Sequence, residues 1–181
     1  MASTKLGELI IELGLESSKF NSGVKGMNTE LRTLQAQFKN AGAGIKDFAS
    51  SIDGLKAKQD MLSKSIEVQK KKFELYQKQF ETGNKTLEEN KKQQEELKQK
   101  VNEAKNAYEE SSQTIGENAE ETKKLHEEYN KLQKELNHVD AAVNRNMSSL
   151  GNTEVNMNRA EASLKETVSY THLTLPTIRL V

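Results

Sequence analysis

The chain contains no cysteine and no tryptophan, and its one proline is Pro176. The lack of cysteine excludes a disulfide framework, a thiolate metal site and a cysteine nucleophile. Of the 181 residues only 34% are hydrophobic and 5% aromatic, whereas 30% are charged. This apolar content is low for a globular core, but it is sufficient for helices that each bury one narrow stripe.

Neither sign of charge is in excess, since Lys and Arg total 27 and Asp and Glu total 27. A balanced charge gives no strong attraction to nucleic acid or to anionic lipid, so we expect no direct nucleic-acid binding. The lysines of residues 56–78 fall on outward helical positions, which is typical of a solvated face. The first apolar run, Leu6 to Leu15, is interrupted by Glu8 and Glu12, so we expect neither a signal peptide nor a membrane span there.

Apolar residues recur with a period of seven, in one register, from Phe20 to Leu164. Position a falls on every seventh residue from Val24, and position d on every seventh residue from Phe20. Such a repeat is the signature of α-helices that pack against other helices along a seam. We expect the seam to comprise Phe20, Val24, Met27, Leu31, Leu34, Phe38, Ile45, Phe48, Ile52, Leu55, Leu62, Ile66, Phe73, Tyr76, Phe80, Leu87, Leu97, Val101, Tyr108, Ile115, Leu125, Tyr129, Leu132, Leu136, Val139 and Val143.

The fold class that we expect is all-α, with long coiled-coil helices preceded by one short N-terminal β-strand. Leu9, Ile11, Leu13 and Leu15 fall on one side of an extended chain, which predicts a strand segment in residues 1–16. The alternative is that this segment only starts the first helix. A lone strand has to pair with another copy or with a later part of a longer protein, because its backbone groups otherwise stay unmatched.

The coiled-coil region is expected over residues 17–167, with breaks near residues 42–44, 83–84 and 116, where glycines occur. Two arrangements remain open for these helices. The heptad register does not slip at Gly83 or Gly116, which favours one long rod. In a parallel, in-register oligomer, however, Lys100 would face Lys105 and Glu135 would face Asp140. A hairpin near Gly116 instead brings the basic stretch 98–105 beside the acidic stretch 127–140.

The final stretch, residues 168–181, does not continue the pattern. It holds the one proline and the one aromatic residue outside the repeat, Tyr170. It resembles a translated transposon-end sequencing adapter, so we expect it to be a non-native tail and the natural protein to continue beyond Thr167.

The sequence offers no catalytic, cofactor or metal site. His126 and His138 are twelve residues apart, which is not the i,i+4 spacing that places two ligands on one helical face. No phosphate-binding loop or nucleophile elbow occurs. Polar residues do interrupt the seam, and they either fix the register and oligomeric state or mark a marginal helix: Gln59, Gln69, Asn90, Gln94 and Asn118.

The N-terminal forty residues resemble those of a known family. Residues 6–20 read LGELIIELGLESSKF, residues 23–28 read GVKGMN, and residues 31–38 read LRTLQAQF. This run is similar to the N-terminus of tail tape measure proteins of long-tailed bacteriophages, particularly those of Gram-positive hosts. In that family an alternating strand ending in a Leu-Gly-Leu-Asp/Glu-Ser-Ser-x-Phe phrase leads into a helix and then a long coiled coil.

The resemblance implies a structural role without enzymatic activity. Tape measure proteins lie extended in the tail tube and set its length during assembly, so we expect localisation in the virion tail after assembly in the host cytoplasm. The implied partners are other copies of the chain, tail-tube subunits and tail assembly chaperones. The alternative functions are a bacterial coiled-coil scaffold or adaptor, and a segment that precedes a catalytic domain.

Overall fold

The computed structural model consists of three long α-helices: α1 (Ala2–Ala41), α2 (Ile52–Ile115) and α3 (Glu120–Ile178). It describes the backbone of residues 2–178 and the side chains of residues 18–172. A 3-10 turn, Phe48–Ser50, lies between α1 and α2. The expected all-α class is confirmed, and the helices meet the length that the heptad pattern requires.

The expected N-terminal strand is not found, because residues 6–15 belong to α1, which begins at Ala2. The backbone of residues 2–178 contains no strand with which such a segment could pair. A helix satisfies its backbone hydrogen bonds within itself, whereas a single strand leaves them open. Leu6, Ile10 and Leu13 also recur at helical spacing, so the sequence of this segment fits a helix as well as it fits a strand.

The chain divides into two compact units, of which the first combines Met1–Phe80 with Thr153–Val181. Within it α1 runs antiparallel to α2, because residues later in α1 contact residues earlier in α2. Phe20 packs edge-on against Tyr76 with ring centroids 5.1 Å apart, and Lys72 Nζ donates a 2.7 Å hydrogen bond to Asn28 Oδ1. Aromatic and polar contacts at different heights thus fix the register of these two helices.

The connection between α1 and α2 occupies the first of the three predicted breaks. The rings of Phe38 and Phe48 lie 6.1 Å apart and close the turn on its inner side. Ser51 precedes α2 as its N-cap, because Gly54 N–H donates a 3.1 Å hydrogen bond to Ser51 Oγ. Asp47 adopts the left-handed region with φ 58°, which reverses the chain in front of this cap.

The first unit also contains burial that the heptad pattern does not predict. Val68 is 4% exposed and Ser65 is 8% exposed, although neither lies at position a or d. Leu75, seven residues after Val68 and therefore on the same helical face, is the side chain that approaches Gly23 of α1. In this unit α2 therefore buries residues beside its seam as well as on it, and α1 approaches both, through Gly23 at Leu75 and through Phe20 at Tyr76.

The second unit, Glu81–Asn152, is a hairpin of two antiparallel helices. Its turn falls at Gly116, which has φ +93°, and Ala119 N–H donates a 3.2 Å hydrogen bond to Gly116 O. This is the fold-back arrangement that the flanking charges favour. Four pairs of facing residues have numbers that add to 233 or 234, namely Ser111 with Thr122, Tyr108 with His126, Gln94 with Asp140, and Gly83 with Leu150.

The break predicted at residues 83–84 is absent, because α2 continues through Gly83 and Asn84. A Cβ atom added at Gly83 would lie only 2.8 Å from Cδ1 of Leu150. The glycine therefore makes room for a leucine of the opposing helix rather than for a turn. Its cost in helix propensity, about 1 kcal/mol, is small enough for a packed helix to accept.

Helix α3 continues past Thr167 to Ile178. The expectation that residues 168–181 are a non-native tail stays a prediction, because a helical conformation does not show where a sequence comes from. Tyr170 takes part in the first unit, where Lys58 Nζ donates a 2.6 Å hydrogen bond to its hydroxyl and lies 4.9 Å from the ring centroid. Residues 168–175 contain no glycine or proline that would stop a helix already under way.

Two glycines of the first unit provide a matched test of this packing. Gly54→Ala should destabilise the unit by about 2 kcal/mol, because the new Cβ would fall 1.7 Å from the carbonyl oxygen of Phe48. Gly26→Ala should stabilise it by about 1 kcal/mol, because its Cβ meets nothing within 4 Å in mid-helix. Thermal unfolding followed by circular dichroism measures both, and equal shifts for the two variants would contradict the described turn.

Candidate functional site: the helix seam

The predicted seam residues divide into three groups by burial. Seven are buried: Leu62, Tyr76, Leu87, Val101, Leu136, Val139 and Val143. Sixteen are half-buried: Phe20, Val24, Met27, Leu31, Leu34, Phe38, Phe48, Leu55, Ile66, Phe73, Phe80, Leu97, Tyr108, Leu125, Tyr129 and Leu132. Partial rather than complete burial at most of these positions is typical of helices that pack through one stripe.

Three predicted seam residues are exposed, and each lies either at an end of α2 or in the connection that precedes it. Ile45 is 54% exposed in the connection between α1 and α2, Ile52 is 58% exposed as the first residue of α2, and Ile115 is 55% exposed as its last residue. A heptad pattern marks the phase of a residue but does not show whether another helix lies opposite it. These three side chains lie at seam positions of the heptad repeat, but no described part of this chain buries them fully.

A pair of hydroxyl groups lies next to the turn of the second unit. Ser111 Oγ and Thr122 Oγ1 are 2.8 Å apart, and Thr122 is 0% exposed. The Thr122 hydroxyl can be buried at a seam position because its hydrogen bond with Ser111 replaces water. The sequence alone does not single out Thr122, since the residue opposite it is not known until the helices have been paired.

Polar residues also occupy the half of the second unit that lies away from its turn. Gln94 Nε2 donates a 2.7 Å hydrogen bond to Asp140 Oδ1, and Asn90 is 4% exposed. Facing residues of this hairpin have numbers that add to 233 or 234, which we call the pairing sum, so Leu87 lies opposite Asn146. The buried Nδ2 of Asn146 has no hydrogen-bond partner among the described side chains and backbone. Gln93 Oε1 is likewise buried without a partner in that part of the chain. These layers weaken the hairpin relative to an all-apolar seam.

The remaining polar interruptions are distributed differently. Gln59 and Gln69 are half-buried in the first unit, and Gln69 Oε1 has no partner within residues 18–172. Asn118 is exposed in the turn of the second unit. The sequence therefore identifies the positions of low apolarity, but only the paired structure shows which amide atoms are left unbonded.

The histidines take up structural or exposed positions. The His126 ring stacks on the Tyr108 ring, with centroids 4.7 Å apart and an interplanar angle of 22°. His138 is exposed on α3. Across the described residues no three His, Asp or Glu side chains come together as a metal site.

Two ionisable groups of the first unit have shifted pKa values. Burial lowers the pKa of the Lys72 ammonium group, whose Nζ is held by Asn28. Burial raises the pKa of the Tyr76 phenol, which packs under Phe20. In each case desolvation disfavours the charged form.

Direct ion pairs are confined to single helices in the described part of the chain. They join Glu88 with Lys91, Glu95 with Lys98, Lys105 with Glu109, and Glu161 with Lys165, at 2.6–3.9 Å and with exposed or half-exposed side chains. Such pairs contribute a few tenths of a kcal/mol to a helix. The apolar seam and its polar layers therefore decide how the helices pair.

No protein-family profile, curated protein or solved structure matches this chain. Within the described residues, no helix combines the length and the apolar character that crossing a membrane requires.

Replacing the unpaired amide of the second unit should stabilise the hairpin. Asn146→Leu removes a buried donor that has no acceptor among residues 18–172 and places an apolar side chain opposite Leu87, so we expect a gain of roughly 1–2 kcal/mol in the free energy of unfolding. Asn144→Leu, at an exposed position two residues earlier, is the matched control and should change stability little. Urea unfolding measures both, and equal gains would show that helix propensity rather than burial is responsible.

The raised pKa of Tyr76 should make the first unit sensitive to alkali. Folding favours the neutral phenol, so its contribution to stability is fully present below pH about 10 and is lost as the pH rises through the higher folded-state pKa. Lys72 has the opposite effect on stability at high pH, because its deprotonation relieves a burial penalty. This effect cancels when the parent is compared with a variant of Tyr76, since both proteins contain Lys72.

We therefore expect Tyr76→Phe to lose less thermal stability than the parent between pH about 8 and pH about 11. Thermal unfolding followed by circular dichroism at each pH gives the loss of stability for the parent and for Tyr76→Phe. Tyr129→Phe, a half-buried tyrosine of the second unit, is the control. A Tyr76→Phe protein with the same alkaline loss as the parent would contradict the assignment.

Proposed function

We propose that this chain is part of a bacteriophage tail tape measure protein, a structural component that sets tail length. The observation that carries the proposal is the run of residues 6–38, which resembles the N-terminus of that family. The proposal places the protein in the virion tail after assembly in the host cytoplasm, and it involves no catalytic step.

The architecture of the chain supports a mechanical role. Three α-helices of 40, 64 and 59 residues make up nearly all of the described chain. An α-helix converts residue number into length at about 1.5 Å per residue, which is the property that a length standard needs. Helices that bury only one stripe also keep side chains half-exposed for further contacts.

The partners that we propose are other copies of the chain, tail-tube subunits and tail assembly chaperones. Support comes from the exposed seam residues Ile45, Ile52 and Ile115, which have the phase of a helix–helix contact without full cover. Copies of the chain can cover them by extending the same seam. The equal numbers of acidic and basic residues favour apolar rather than electrostatic contacts with these partners.

Paired deletions in the phage that carries this gene test the proposal. Residues 98–104 of α2 lie opposite residues 129–135 of α3 by the pairing sum, so removing both heptads preserves the remaining layers. A tape measure that is extended in the tail should give tails shorter by about 21 Å, whereas one that keeps the hairpin should give tails shorter by about 10 Å. Electron microscopy of purified virions measures the change.

The control keeps both heptads and replaces their exposed residues, which should leave tail length unchanged. An unchanged tail length after the double deletion, in phage that still assemble, would contradict a ruler role and favour a coiled-coil adaptor. Shorter tails in the control as well would show that the substitutions impair tail assembly, and would contradict a ruler mechanism, because the control keeps both heptads.

A further inference from the structure

The heptad register crosses the turn of the second unit without a shift. Tyr108 and Ile115 before the turn and Thr122 and Tyr129 after it are all at position a, seven residues apart. A hairpin does not require this, because its turn can connect two helices of any relative phase. A continuous helix does require it, so residues 81–152 carry the pattern for a straight helix as well as for a hairpin.

The pairing sum gives this second arrangement a definite partner. A sum of 233 places the midpoint of the pairing between Gly116 and Glu117. If two copies of the straight helix lie antiparallel about that midpoint, residue Ser111 of one faces Thr122 of the other. Every layer of the hairpin is then reproduced between copies, including the hydroxyl pair and the contact of Gln94 with Asp140.

The straight arrangement also covers an apolar side chain that the hairpin leaves open. Ile115 is 55% exposed in the hairpin. In the antiparallel pair its seam position lies opposite Asn118 of the second copy, and the symmetry supplies this layer twice. The exchange thus adds two layers at the centre and removes none.

Few residues have to change conformation. Only residues 116–119 separate α2 from α3, and Gly116 is the one residue there with a positive φ. Short turns that connect elements able to pair between copies are the usual hinges of domain exchange. Since α3 continues to Ile178, residues 153–178 exchange together with it and complete the first unit of the second copy.

We propose that this chain also forms a domain-exchanged dimer, in which α2 and α3 join through residues 116–119 and pair antiparallel with a second copy. The partner is the same chain, and its contact surface is the seam of residues 81–152. The proposal does not depend on a role in phage tails.

Engineered cysteines distinguish this dimer from the hairpin, because the natural sequence has none. The double variant Ser111→Cys with Thr122→Cys places two sulfur atoms where hydroxyl oxygens lie 2.8 Å apart. Oxidised hairpin gives an intrachain disulfide, and the exchanged dimer gives two interchain disulfides. Non-reducing electrophoresis of the full chain, oxidised over a range of concentrations, should show a covalent dimer that increases with concentration.

Two variants of the turn should shift the equilibrium toward the dimer, and a third serves as their control. Gly116→Ala favours a helix and disfavours the positive φ, so the dimer dissociation constant should fall about thirtyfold, or about fivefold for each of two copies. Asn118→Leu should lower it further through the new central layers. Glu117→Leu, which is exposed at position c, should leave it unchanged. Sedimentation equilibrium measures all three.

The single variant Ser111→Cys excludes a parallel dimer. In the antiparallel pair the two introduced sulfur atoms, one from each copy, are about 16 Å apart along the axis, so no disulfide forms between them. A crosslinked Ser111→Cys dimer would overturn the proposal. So would intrachain disulfides alone in the double variant at every concentration, in both the Gly116→Ala and the Asn118→Leu backgrounds.

Discussion

The burial of one apolar stripe per helix is the constraint on which this structure depends. With 34% hydrophobic residues the chain has too few apolar side chains to surround each helix, so a helix is stable only where another helix covers its stripe. In the second unit this is achieved by α2 and α3 alone. In the first unit α1 is added to these two helices, and Val68 is buried there although it lies outside the seam.

The sequence was sufficient for the helical class and for the phase of the seam, because both follow from local periodicity. It left the rod and the hairpin open, because the unbroken heptad register favoured a rod, whereas the opposite charges on residues 98–105 and 127–140 favoured a fold-back at Gly116. It could not assign Gly83, because a glycine reads as a turn until the residue opposite it is known to be Leu150. The conformational role of a glycine therefore depends on its neighbour in space as much as on its own sequence.

Other features required knowledge of the third dimension. Residues 6–15 fit a period of two and a period near 3.6, so periodicity alone does not decide between a strand and a helix. Ser111 and Thr122 are both ordinary polar residues in the sequence, yet together they form a buried hydroxyl pair. The amides of Gln93 and Asn146, unbonded within the described residues, likewise result from pairing. Both lie in the half of the hairpin away from its turn, whereas the hydroxyl groups beside the turn are satisfied.

Half-buried seams have a consequence for the temperature dependence of folding. The heat capacity change of unfolding grows with the apolar surface that becomes hydrated, and most seam residues of this chain are already partly in contact with water when folded. The change per residue should therefore be smaller than in a globular domain of equal length. A small heat capacity change flattens the stability curve, so these helices weaken gradually on warming and resist unfolding in the cold.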